Sequence, residues 1–105
     1  MVDKILTAAG LPGRRGRFIG SALTYVVWFD DVTVTGSDDA GALVTRHDAT
    51  LELYEDKPDD TAEAALEAAI IAAGLVFTKQ DRYWIQSEQM YQVIYEFTHY
   101  EKRRA

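Results

Sequence analysis

Two stretches of alternating side chains, residues 50–55 and 91–98, bracket an alanine-rich run, and no other feature restricts the fold as tightly. In the first, the two-residue period of a strand turns Leu51 and Leu53 one way and Thr50, Glu52 and Tyr54 the other. In the second, Tyr91, Val93, Tyr95 and Phe97 share one face, and Gln92, Ile94, Glu96 and Thr98 the other. Between them Ala62, Ala65, Leu66, Ala69, Ile70 and Ala73 recur at helical spacing as one apolar stripe. A stripe built largely of methyl groups lets a helix lie close on a sheet. The expectation is an α+β domain, with helices laid on a half-buried sheet.

The other elements fit that expectation. Val2, Ile5, Leu6 and Ala9 place a short amphipathic helix at residues 2–9, with Gly10 as its stop. Residues 10–22 hold Gly10, Gly13, Gly16 and Gly20, Pro12, and Arg14, Arg15 and Arg17, and are read as a mobile basic loop. Residues 23–29 are dense in β-formers and read as a central strand, which residues 32–35 extend or answer as a hairpin arm. Residues 36–41 make a turn, and 43–55 a long strand. Pro58, Asp59, Asp60 and Thr61 open the second helix, with Asp60 or Thr61 as N-cap, and Gly74 ends it. Residues 75–85 read as a third main strand, interrupted by a turn or bulge within 78–82, and 89–100 as the last. The order αββαββ, with short connections, gives a mostly antiparallel four-stranded sheet carrying two helices.

Length and charge narrow the class. A chain of 105 residues makes one domain, residues 1–105, ending in a flexible basic tail at 101–105, with modest stability of its own. Cysteine is absent, which removes disulfides, thiolate metal sites and cysteine nucleophiles and fits a reducing compartment. The first ten residues lack the apolar run of a signal peptide, and nowhere do eighteen apolar residues follow one another, so no membrane is expected as a partner. Residues 30–67 hold twelve acids against Arg46 and Lys57, a net −10, which leaves +4 for the rest of a chain whose total is −6. The positive charge gathers at Arg14, Arg15 and Arg17 and at Lys102, Arg103 and Arg104. Such a bipolar molecule suits meeting copies of itself.

Chemistry finds no foothold. His47 and His99 are the only histidines, and neither comes with a nucleophile elbow or a phosphate loop. Asp30, Asp31, Asp38, Asp39, Glu55, Asp56, Asp59 and Asp60 could offer oxygen ligands, but none follows a calcium-loop spacing. The arginines beside Phe18 could meet phosphates, against which stands a pI near 4.7. No catalytic residue, metal or cofactor is expected.

One resemblance goes further. Leu53, Tyr54, Asp56 and Lys57, then an acid-led helix, then Ser87, Glu88, Tyr91, Gln92, Val93, Tyr95, Glu96 and Phe97 resemble the carboxy-terminal half of a family of phage minor structural proteins: tail-terminator, tail-completion and minor capsid proteins of long-tailed phages and prophages. Leu11-Pro12 and Tyr25-Val26-Val27-Trp28 are similar to its upstream region, although Ala22-Leu23-Thr24 stand where that family usually has prolines. The resemblance implies a tail-terminator-like fold and a non-enzymatic subunit, assembled in the host cytoplasm, that forms a homo-hexameric ring at the head-proximal end of the tail. Its partners would be itself, the tail-tube protein and head–tail connector proteins, with incidental contact with DNA in the lumen. A neck or adaptor protein and a prophage-encoded binding or regulatory module are the alternatives. Subunit contacts are expected at Arg14, Arg15, Arg17, Phe18, Asp30, Asp31, Asp38 and Asp39.

Overall fold

A computed structural model describes residues 1–18, 20, 22–37 and 41–104, and of residues 103 and 104 the backbone alone. In chain order the elements are α1 (Val2–Ala9), β1 (Gly13–Arg15), β2 (Thr24–Ser37), β3 (Ala42–Glu55), α2 (Asp60–Ala72), β4 (Thr78–Lys79), β5 (Tyr83–Ile85) and β6 (Met90–Arg104). Strands β2, β3 and β6 pair antiparallel over almost their whole lengths. At ~3.3 Å per residue each spans roughly 46–50 Å, so they set the 50 Å long axis of the molecule. Helix α2, at ~1.5 Å per residue, reaches only about 20 Å. The helical layer therefore cannot cover the sheet from end to end.

Register sorts the helix-side face of the three strands into rows: Val26, Leu53 and Val93; Trp28, Leu51 and Tyr95; Asp30, Ala49 and Phe97; Val32, His47 and His99; Val34, Thr45 and Glu101. The first three rows, Asp30 apart, join Val2, Ile5 and Leu6 of α1 and Leu66, Ala69 and Ile70 of α2 in the apolar core, against which Trp28 packs from its rim. Burial of each large aliphatic side chain there stabilises the fold by roughly 1.5–3 kcal/mol. Helix α1 ends at Gly10, whose left-handed backbone (φ 72°) turns its N–H back onto Leu6 and Thr7. Asp59 caps α2 by accepting from the Ala62 amide at 3.0 Å, one residue before the expected caps.

Three expectations are corrected. Among the described residues the sheet has six strands instead of four. Residues 75–85 form no main strand: only β4 and β5 pair with β6, and the chain leaves the ladder between them, where Arg82 reaches α2. The basic segment also contributes β1, which lies parallel to β2 through Val26 N–H to the Pro12 carbonyl and Gly16 N–H to the Trp28 carbonyl, both at 2.9 Å. Gly13 allows this approach, since a Cβ there would lie 3.0 Å from the Val26 carbonyl oxygen and 3.2 Å from Val26 Cβ, and 2.6 Å from Leu6 Cδ1 of α1.

Candidate functional site

The expected interface residues fall on two faces. Arg14 pairs with Val27 and Arg15 with Trp28, so successive arginines point to opposite sides of the sheet. Arg15 lies over the Trp28 ring, 5.5 Å from its centroid. Phe18 stacks on Tyr25 at 4.5 Å, and Tyr25 on Tyr54 at 5.2 Å. This ladder and Arg17 border a shallow cavity of about 200 Å³ with Val27, Phe29, Glu52 and Glu88, on the face that α1 and α2 leave uncovered. Burial, with Glu52 beside it, pushes the Tyr54 hydroxyl up to about 12.

Asp30 and Asp31 also part company. Asp30 turns to the helix side, where its Oδ2 lies 2.8 Å from His47 Nδ1. His47 stacks on His99 across the β3–β6 ladder, centroids 4.6 Å apart, and its Nε2 meets Thr45 Oγ1 at 3.1 Å and Glu101 Oε2 at 3.4 Å. Both rings are buried. Burial first, then the charge of His47, holds His99 below the usual histidine value, against the opposing pull of Glu101 and Asp30. Asp31 points to the uncovered face and borders a cavity of about 530 Å³ with Arg46, Asp48, Glu96 and Thr98. There the Thr98 hydroxyl donates to Asp48 at 2.7 Å, and this bond, over the opposing desolvation and with Arg46 helping, draws the Asp48 carboxyl below its ordinary range. Asp38 and Asp39 lie outside the described residues.

A buried acidic cluster was not expected. Glu55 is fully buried, with Arg82 Nε 3.2 Å from its Oε1. Glu63 lies beside it, and Arg82 also holds Glu63 and, at 2.7 Å, Asp60. Lys79 joins Glu63 at 3.0 Å to Glu67 at 2.8 Å, and Tyr95 donates to Glu67 at 2.7 Å. Burial pushes the Glu55 carboxyl up to about 7, and the hydrogen bond and charge of Glu63 add to the rise while Arg82 opposes it. For Glu63 burial also pulls upward, but hydrogen bonds from Arg82, Lys79 and Glu55 win and its carboxyl lies low. The cluster ties the β4–β5 turn to α2 and the end of β3. Its sequence signal was phase: Glu55 continues the Leu51, Leu53 alternation, and Glu63 lies one turn before Leu66 and two before Ile70.

These buried polar groups bind strand to strand or strand to helix. Among the described residues no group of three or more His, Cys, Asp or Glu side chains converges to hold a metal ion, and no helix is long and apolar enough to cross a membrane. What faces outward is the end of the sheet beyond the helices, where Val32, Val34 and Tyr100 are exposed. No protein-family model matches the chain, and no curated protein does. Among solved structures it is similar to a chain described as the virion of a native gene transfer agent particle, with a TM-score of 0.57 and 22% identity over 94% of this chain and 82% of that one. At that identity the likeness is one of fold.

Proposed function

We propose that this chain is a non-enzymatic structural subunit of a phage-like virion, a tail-terminator or tail-completion protein that closes into a ring, of six copies by the family resemblance, at the head-proximal end of a tail. The observation that carries this reading is the fold likeness to a gene transfer agent virion chain, which runs through 94% of the residues and so includes both the part of the sheet under α1 and α2, the body, and the end of β2, β3 and β6 beyond them, the ribbon. Two features support it. The buried histidines and acids are engaged in holding the sheet and α2 together, and the ribbon presents exposed apolar side chains beyond the helices. A ring of identical subunits needs two different surfaces on each copy, and the bipolar charge of the chain supplies unlike ones.

Electron microscopy and mass measurement of the full chain, alone and with purified tail tubes, test the proposal. Closed rings or capped tube ends are the expected result, with weaker association at high salt. A particle that stays at one subunit under every condition, tubes included, would sink it. A ring seated on the portal side of the head instead of on tubes would replace it with the neck or adaptor reading.

A further inference from the structure

The backbone of the ribbon carries an inference about how copies meet. Because Val26 N–H and the Trp28 carbonyl bond outward to β1, the even-numbered residues of β2 turn their backbone groups away from β3. Strand β1 stops at Arg15, level with Trp28, so the outward groups of Asp30, Val32 and Val34 line an edge that no other described strand pairs with. On the far side of the sheet the Ile94 carbonyl bonds outward to Gln80, and β4 ends at the level of Glu96. The same parity leaves Thr98 and Tyr100 of β6 facing outward beyond it. Both open edges lie at the same level of the ribbon, since Asp31, Asp48 and Thr98 form one row.

Long open edges are normally blunted by proline, lysine or a bulge. Residues 29–37 of β2 contain neither proline nor lysine, and the bulge lies at the tip, between Val34 and Gly36. Residues 97–101 of β6 contain neither as well. The two edges differ in charge: the open stretch of β2 starts with Asp30 and Asp31, level with Phe97 and Thr98, while β6 has Glu101 in its open stretch and runs on through Lys102, Arg103 and Arg104, level with the uncharged tip of β2. Two β2 edges would gather four acids in one seam and two β6 edges six bases, whereas β2 against β6 brings both signs into the same seam. Strands β2 and β6 also run in the same direction, because each is antiparallel to β3. Copies related by rotation about an axis along the ribbon would therefore add β6 to β2 in parallel.

We infer that the occupant of these edges is a second copy of this chain, with the open stretch of β2 pairing in parallel with that of β6 on its neighbour, so that one sheet continues from subunit to subunit. The contact is head to tail, hence able to close a ring, whereas pairing of like edges would stop at a dimer. The inference deepens the ring proposal and rests on it only for the number of copies.

The absence of native cysteine makes the test direct. Thr33→Cys and Tyr100→Cys lie on the same, uncovered face, and both positions are exposed. Because Thr33, Arg46 and Tyr100 form one row, the two positions of a single copy lie only two strand spacings, about 10 Å, apart, and the cysteines are therefore kept on separate chains. With a short bismaleimide, a mixture of the two single variants should give a heterodimer, and neither single variant alone should cross-link. A dimer from T33C alone or from Y100C alone overturns head-to-tail pairing. Val32→Pro removes one outward N–H without touching the β2–β3 ladder, a position where an edge strand tolerates proline. It should weaken association at least about tenfold, the scale of one lost hydrogen bond repeated at each interface, while Val32→Thr leaves association within a factor of two or so. Circular dichroism checks that both variants fold; if V32P folds and assembles normally, or if it unfolds and the cross-linked heterodimer is absent, the edge pairing is wrong. Rings that form without these cross-links would refute the edge pairing and leave the ring reading standing. A chain that never assembles refutes both.

Discussion

The two ends of one sheet face are built from the same three strands and filled in opposite ways. Near the body, the rows of Val26, Leu53 and Val93 and of Trp28, Leu51 and Tyr95 lie under α1 and α2. Farther out, the row of Val32, His47 and His99 is closed by imidazole stacking and by Asp30, and the row of Val34, Thr45 and Glu101 lies at the edge of solvent. An apolar row needs a cover, whereas a row of stacked imidazoles tied to Asp30 and Glu101 projects without one, with Asp30 Oδ1 and His99 Nδ1 left without a hydrogen-bond partner in the protein. The body supplies stability, and the ribbon supplies shape.

The largest effect that would sharpen this contrast is Leu51→Ala. The side chain is fully buried, and its loss should cost about 2–5 kcal/mol and lower the thermal midpoint steeply. Val34→Ala, in the ribbon, should stay within about 0.5 kcal/mol. Comparable losses from the two would break the division into body and ribbon.

Next in size is the carboxyl cluster of the body. Glu55 titrates near 7 in the folded protein against 4.5 for the ordinary group, so the folded state holds this proton more tightly. Its contribution is therefore complete below pH 4.5 and is lost as pH rises through about 7. Glu55→Gln keeps the shape without the charge. Urea unfolding should show the variant more stable than the parent at pH 8, by on the order of 1–3 kcal/mol, with the fall between pH 4.5 and 7 flattened. A variant less stable at pH 8 would mean that Arg82 needs the Glu55 charge.

The ribbon should answer pH with the opposite sign. His99 lies below its ordinary value of 6.5, so the folded state holds this proton less tightly. That contribution is present above pH 6.5 and is lost as pH falls through the lowered value. His99→Phe keeps an aromatic partner for His47. It should change stability at pH 7 by less than about 1 kcal/mol and remove part of the loss seen as pH falls below 6.5. An unchanged acid profile would take His99 out of the account.

The smallest effect on folding is expected from Arg14→Ala, Arg15→Ala and Arg17→Ala combined. All three side chains are exposed, and only Arg15 has an aromatic partner worth about 0.5–1 kcal/mol. The thermal midpoint should move by a few degrees at most, while ring formation or tail completion is impaired. A triple variant that unfolds would place the basic segment in the body.

Much of this contrast was readable from the sequence on the body side. The period of two in residues 50–55 and 91–98 sorted the side chains of β3 and β6 onto their two faces, and helical spacing placed α1 at Val2–Ala9. Gly74, with φ 81°, closes α2 as expected, although Ala73 of its apolar stripe is exposed. What stayed hidden depends on pairs far apart in sequence. The short strand β1 exists because a long neighbour offers an edge, since Gly13, Arg14 and Arg15 carry little β preference, while β4 and β5, although β5 consists of the β-formers Tyr83, Trp84 and Ile85, are too short to be marked as separate strands by any local period. The His47–His99 stack needs the register of β3 against β6, which no local pattern states. The split between Asp30 and Asp31 needs the strand to run on through residues 30–31, which a strand at 23–29 with a separate 32–35 left open, and what Asp30 meets needs the register of β2 against β3.

Hydrogen exchange, followed residue by residue in the isolated subunit and in the assembled particle, tests the central claim most directly. In the isolated chain the amides of Asp30, Val32 and Val34, turned away from β3, should exchange freely while those of Leu51, Leu53, Val93 and Tyr95 are protected. On assembly the three ribbon amides should become protected and the body amides should change little. Ribbon amides already protected in the isolated chain, or equally exposed in the particle, would contradict a body that folds alone and a ribbon completed by its neighbour.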